Sequence, residues 1–444
     1  MTEIITLLRC IAPIIAKNKH KQLQIIIQAL LSMRGRITML GLSRWSEKGG
    51  SYRTITRFFH SKINWEEINW MFIKTHLTKK GSVYLLGGDE VVVSKSGKHT
   101  YGIDRFYSSI QNQVIPSLAF LNLSLISVET RKAYPLSTQQ IVREKKEGCI
   151  KDKSVKKSKK KKHGKVGRPK GSGNQDKKDI ELSPYLKFVQ ESVSKALKRI
   201  DKHIDIVYFV FDGAFGNNPA VQMVRQCGLH IISKLQKNSA LLFPYSGEYA
   251  GRGSPRKYGD AIDYDNLPEP YLKSDTIDED KNIQTRIYQM EMLHRKFADR
   301  LNVVIIQKKN LSTGKIAHVN LFSTDLTLNY EKIIDYYSLR FQIEFVFRDA
   351  KQYWGMEDFM NIKKTPIHNW ANLSTFMVNF SHGLRQNSTM KEMSILDLKA
   401  HYHGIKYVKE VFKLLPHLAN AYLIQTVSLK IANLGAIHST ERVG

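Results

Sequence analysis

Tyr337-Ser338-Leu339-Arg340-Phe341-Gln342-Ile343-Glu344-Phe345-Val346-Phe347-Arg348-Asp349-Ala350-Lys351 is a run in which one carboxylate stands among cations at helical spacing. At about 100° per residue, Tyr337, Arg340, Glu344, Arg348 and Lys351 fall within one quarter of a helical wheel, while Leu339, Phe345 and Val346 point elsewhere. The spacing predicts a single helix that begins near Asn329. Such a stripe suits a site where Glu344 holds a metal ion and its neighbours hold phosphates. The plain alternative is an exposed face with an Arg340–Glu344 pair worth a few tenths of a kcal/mol. The rest of the chain decides between the two.

The chain has 444 residues, 42% of them hydrophobic, enough for a large core and two to four domains. Its formal net charge of +29 points to a polyanionic partner. Residues 145–178 hold 15 Lys/Arg against 3 acids, a local excess of 12 that leaves +17 on the remainder. The basicity is therefore spread over the folded parts, as an extended nucleic acid requires. No apolar run reaches the roughly 18 residues of a spanning helix, and the start, with Glu3 and Arg9, is unlike a signal peptide, so a cytoplasmic protein without membrane partners is expected. Three cysteines without CxxC spacing indicate neither a disulfide framework nor a structural zinc site. His401 and His403 lack further ligands nearby in sequence.

In chain order, helical periodicity covers Ile4–Ala16, Gln22–Met33 and a segment opening near Ser51. That segment sets Arg53, Thr54, Arg57, His60 and Lys62 around apolar Ile55, Phe58 and Phe59, as a helix would that packs by one side and lies along DNA by the other. The run Val83–Val93 reads as a buried strand delivering Asp89 at its end. Gly97–Ile103 and Leu118–Glu129 read as two further strands of an antiparallel meander. Residues from about Ile141 to Lys178 are too charged to fold alone and read as a basic loop whose Gly167-Arg168-Pro169-Lys170 is similar to an AT-hook, with a nonspecific phosphate clamp as the favoured role of Arg168 and Lys170. An amphipathic helix from Ser183-Pro184 leads to a second apolar strand, Ile204–Phe211, which ends in Asp212. A helix through Val221–Cys227 and a strand at His230–Leu235 complete a mixed α/β sheet. Short extended pieces with turn residues mark Asn238–Leu326 as a β insertion, and the rest is helical in pattern.

Two strand-end carboxylates and one helical carboxylate form a donor set for a hard cation such as Mg²⁺, which completes its shell with water and phosphate. Two such ions could serve an in-line phosphoryl displacement. The spacing Tyr337-(2)-Arg340-(3)-Glu344-(6)-Lys351 resembles the YREK signature of DDE transposases from bacterial insertion sequences, and Asp89 and Asp212 match their first two acids by context. The resemblance covers roughly residues 80–355. It implies a ribonuclease-H-like core, catalytic and metal-holding roles for Asp89, Asp212 and Glu344 with two Mg²⁺ or Mn²⁺ ions, and DNA contacts from Tyr337, Arg340 and Lys351. Further DNA contacts are expected from Arg53, Arg57, Arg168 and Lys170. It also implies cut-and-paste transposition at terminal inverted repeats by a homodimer. The expected organisation is a helical DNA-binding domain at 1–77, a first part of the core at 78–237 with the basic loop 141–179 inserted, a β-rich insertion at 238–326, the last part of the core at 327–375, and a C-terminal helical region at 376–444 offering a dimer interface. Two features depart from the pattern. Glu90 adjoins Asp89, although strand alternation turns it away, and the insertion contains no Trp, leaving Tyr245, Tyr258, Tyr264 or Phe297 to receive a flipped base. The alternatives are a non-catalytic DNA-binding protein derived from a transposase and a nuclease without end preference.

Overall fold

The computed structural model describes residues 2–143, 176–413 and 421–432, apart from 47, 109–110, 201–202, 250, 252 and 387. The expected basic loop, with Arg168 and Lys170, lies outside the described residues. The chain begins with α1 (Thr2–Leu8), a 3₁₀ turn over Arg9–Ile14, α2 (Lys17–Ser32), α3 (Met39–Trp45), α4 (Tyr52–His60) and α5 (Trp65–His76). Ile4–Ala16 is thus not one α-helix. Pro13 lies inside the 3₁₀ turn and removes a backbone donor there. The short α3 had no sequence signal of its own. Thr38 caps it by accepting from the Gly41 amide, as Ser51 caps α4 through Thr54 N–H.

Four strands follow: β1 (Tyr84–Ser94), β2 (Asp104–Ser108), β3 (Gln113–Ser127) and β4 (Lys132–Ile141). The expected strand at Gly97–Ile103 is instead irregular, with Gly102 in the left-handed region at φ 70°. The meander is completed by β4, which the sequence hid behind Pro135. At that residue the β3–β4 register shifts, as a strand residue without an N–H demands. Next come α6 (Pro184–Ile200), β5 (Tyr208–Val210), α7 (Asn218–Gln226) and β6 (His230–Lys234). Both β1–β5 and β5–β6 pair parallel, and β1 pairs antiparallel with β3, so the core is a mixed sheet of the ribonuclease-H-like kind.

Strands β7 (Leu241–Pro244), β8 (Tyr258–Ala261), β9 (Leu272–Asp278), β10 (Ile283–His294), β11 (Leu301–Asn310) and β12 (Ile316–Ser323) extend that same sheet. Among the described residues all twelve strands form one sheet, joined where β12 lies antiparallel on β6 from Leu321↔Lys234 to Ser323↔Ile232. This return brings the chain back to the core edge before α8 (Tyr330–Leu339), α9 (Gln342–Gln352), α10 (Lys364–Leu384), α11 (Ile395–Lys413) and α12 (Ala421–Ala432).

Almost every residue of α10 is buried, and three asparagines make that possible. Asn369 donates to the carbonyls of Phe59 (2.7 Å) and Ser61 (2.8 Å) and accepts from Trp65 Nε1 (2.9 Å). Asn372 exchanges bonds with Thr138 on β4, and Asn379 donates to Pro135 O at 2.8 Å, at the register shift. Buried amides must find such partners, so these bonds fix α10 between the N-terminal helices and the sheet. Phe59 stacks on Trp370, with ring centroids 4.6 Å apart. The helix runs unbroken across the 375/376 boundary read from the sequence, because both halves bury into one continuous core. Among the described residues no helix is long and apolar enough to cross a membrane.

Candidate active site

Asp89 lies mid-strand rather than at a strand end. Its neighbour β5 reaches only to Gly87↔Val210, so β1 from Asp89 to Ser94 runs on past it. Glycine sets the depth of the overlying helix. A Cβ on Gly87 would stand 2.9 Å from Ile343 Cδ1, and its absence lets α9 pack close to β1. Asp212 follows β5 directly and caps a 3₁₀ turn, accepting from Ala214 N–H at 3.0 Å. Buried Ser233 donates to Asp212 O at 2.6 Å and ties that turn to β6. Sequence spacing carries no signal for Ser233.

The expected single helix through 337–351 is two helices. Between α8 and α9 the amides of Arg340 and Phe341 bond three residues back, to Tyr337 O and Ser338 O, a 3₁₀-like tightening that interrupts the α-helical bonding. Arg340 keeps helical backbone angles there and still pairs with Glu344 four residues on, as the wheel predicts. From there its guanidinium donates to Asp89 Oδ2 at 2.7 Å and to Glu344 Oε1 at 3.0 Å. Its third donor, Nε, is buried without an acceptor among the described residues. Arg340 thus acts as a clamp that holds a β1 acid and an α9 acid together.

The electrostatics show a pocket short of positive charge. Burial lifts the Asp89 carboxyl to about 6; Arg340 and the Glu90 amide oppose the rise, and Asp212 and Glu344 add to it. Tyr337 is half-buried, and its phenol is pushed up by burial, with Asp212 and Asp89 adding to the effect and Arg340 opposing it. The three acids therefore share one electrostatic neighbourhood. Their donors are all hard oxygens, and the under-compensated Asp89 is the kind of group a divalent cation satisfies. Among the described residues, however, no three His, Cys, Asp or Glu side chains close round a single point, and Arg340 bridges Asp89 and Glu344.

Glu90 points to the other face of β1, as alternation requires, and accepts from the Tyr185 hydroxyl on α6. Lys351 does not reach into the pocket. Its ammonium donates to Val92 O on β1 at 2.9 Å and pairs with Glu357 at 2.9 Å. Arg348 pairs with Asp349 and lies over the Phe345 ring. Arg53 and Arg57 are exposed on α4, with Ile55, Phe58 and Phe59 buried behind them. Of the aromatics proposed to receive a base, Phe297 is buried and Tyr264 stacks on His318 at 4.3 Å, while Tyr245 is exposed beneath Arg256.

A family model described as DDE superfamily endonuclease matches residues 7–295. The chain belongs to this family. The match spans most of the N-terminal helices, Asp89 and Asp212, and stops before Glu344. The chain is also similar to the transposase for insertion sequence element IS231E of Bacillus thuringiensis subsp. finitimus, at 26% identity over 221 residues. That similarity covers 44% of this chain and 44% of the relative, so it spans under half the length of the curated protein.

Proposed function

We propose that this DDE-family protein is the transposase of an insertion sequence. It binds the terminal inverted repeats of its element, cleaves DNA there and joins the freed end to target DNA. The observation that carries the reading is the Arg340 clamp, which draws Asp89 of β1 and Glu344 of α9 to one guanidinium in the neighbourhood of Asp212. Asp89, Asp212 and Glu344 would hold Mg²⁺ or Mn²⁺, as a pair of ions. Bound there, the cations supply the positive charge that activates the attacking oxygen and stabilises the leaving one.

The chain's own residues do the rest. The Arg340 guanidinium and the Tyr337 hydroxyl hold the scissile phosphate, for which a guanidinium fork is well shaped. Water attacks phosphorus, the P–O3′ bond breaks, and the products are a 3′-hydroxyl and a 5′-phosphate. That 3′-oxygen then attacks a target phosphorus and releases a target 3′-hydroxyl, so one phosphodiester is exchanged for another. Arg53 and Arg57 on exposed α4 contact the repeat, and Arg168 and Lys170 add phosphate contacts. A homodimer, with the C-terminal helices as interface, holds both ends in the bacterial cytoplasm. The test is nicking of end-containing DNA with Mg²⁺. Wild-type protein should cut at the element boundary, and Glu344→Gln should lose at least a hundredfold in rate; equal cutting by the two proteins removes Glu344 from the site.

A further inference from the structure

Two clefts flank the 3₁₀ turn that follows Asp212, and both are lined by lysines that no motif singled out. The first, about 560 Å³, is lined by Asp212, Tyr337, Lys234 and Lys237. The second, about 500 Å³, is lined by Gly216, Asn217, His294 and Lys296. They meet at Gln236, which lines both. Gln236 belongs to the segment after β6, whose carbonyls are held by side-chain hydrogen bonds. Buried Asn320 donates to Gln236 O (3.3 Å), Lys237 O (3.1 Å) and the Tyr264 hydroxyl (3.1 Å), and the His318 ring bonds Lys237 O at 2.8 Å. The carbonyls are thereby tied inward, while Lys234, Gln236, Lys237 and Asn238 are exposed. Gly216 abuts the same shelf, since a Cβ there would stand 2.3 Å from Lys234 O, so the Lys234 backbone lies directly against the turn that follows Asp212.

Lys234, Lys237 and Lys296 have no carboxylate partner among the described residues. In the second cleft burial holds His294 below its usual range, with Lys296 and Lys177 adding to the effect, while Asp176 contributes one negative charge. Cations without a carboxylate partner, lining adjoining clefts, make a local positive field that attracts an external anion. Resting on the reading of the protein as a transposase, we propose that this shelf is a phosphate track. Lys234, Lys237 and Lys296 seat the backbone of the DNA strand that carries the scissile phosphate, as it leaves the acid pocket across β6. The track reads charge and spacing rather than base identity.

The experiment compares two triple variants of the full chain that lose the same charge: Lys234→Gln/Lys237→Gln/Lys296→Gln, and Lys74→Gln/Lys79→Gln/Lys80→Gln at the C-terminal end of α5, which lines neither cleft. Binding to a duplex carrying one element end is measured against salt. Each lost phosphate contact should lower the log–log slope by about 0.9, so the cleft variant should lose about 2.7 and the control little. Trimming the duplex on the side that occupies the track should weaken wild type but leave the cleft variant indifferent. Equal slope changes in both variants, or no change in either, overturn the track. A wild type that binds with the expected slope but yields no metal-dependent nick fails the transposase reading instead, while the slopes still judge the track.

Discussion

Replacing Lys351 with Met asks whether this lysine holds DNA or holds the protein. Met keeps the apolar stem and removes the ammonium. Two contacts vanish: the bond to Val92 O and the pair with Glu357, both at 2.9 Å. The Lys351 side chain is 17% exposed and that of Glu357 is 46% exposed, so the ion pair is partly screened and contributes at most about 1 kcal/mol. A charge-assisted bond to a backbone carbonyl contributes about 1.5–3 kcal/mol. Lys351→Met should therefore cost about 2–3 kcal/mol in urea denaturation. Because Lys351 is two helical turns beyond Glu344 and bonds β1 three residues beyond Asp89, the variant should also loosen the spacing of those acids and slow nicking. The salt dependence of DNA binding should not change, since no phosphate contact is lost. Unchanged stability together with a slope lowered by about 0.9 would mean that Lys351 contacts DNA, and the anchoring argument would fall.

Gly216→Ala should act on the other acid. Its new Cβ meets the Lys234 carbonyl at 2.3 Å, a backbone contact that no rotamer can relieve, so the turn capped by Asp212 must move. A stability loss of about 1–3 kcal/mol and a tenfold or greater loss of nicking are expected, measured by denaturation and by cleavage on the same preparation. The pH dependence of the metal-free protein follows from Asp89, whose carboxyl rises from 3.8 unfolded to about 6 folded. Between those values the native state binds more protons than the unfolded one, so this group's contribution to stability falls as pH rises from about 4 to about 6, by about 3 kcal/mol in all. Asp89→Asn should be free of that decline, and urea curves at pH 4.5 and 7 should show its advantage over wild type widening with pH; a constant gap contradicts the burial argument.

Hydrophobic periodicity is a local property, so the strand around Asp89, the strand before Asp212, the helix at Pro184 and the start of α8 at Asn329 could be read from short windows. The mid-strand place of Asp89, the hidden β4 and the absorption of the insertion into one sheet could not. They depend on pairing partners far away in sequence, and Pro135 and Gly102 matter only through the register they impose. The helical wheel placed Arg340 and Glu344 on one face, and their i,i+4 pair keeps that relation, but it gave no sign of the 3₁₀ step that separates α8 from α9. What the wheel could not give is the partners: Arg340 bonds Asp89 and Glu344, and Lys351 bonds Val92 O and Glu357. Residue type and spacing decided which groups could do phosphoryl chemistry. Only the tertiary structure decided which of them face each other, because burial and charge compensation are sums over neighbours that no linear window contains.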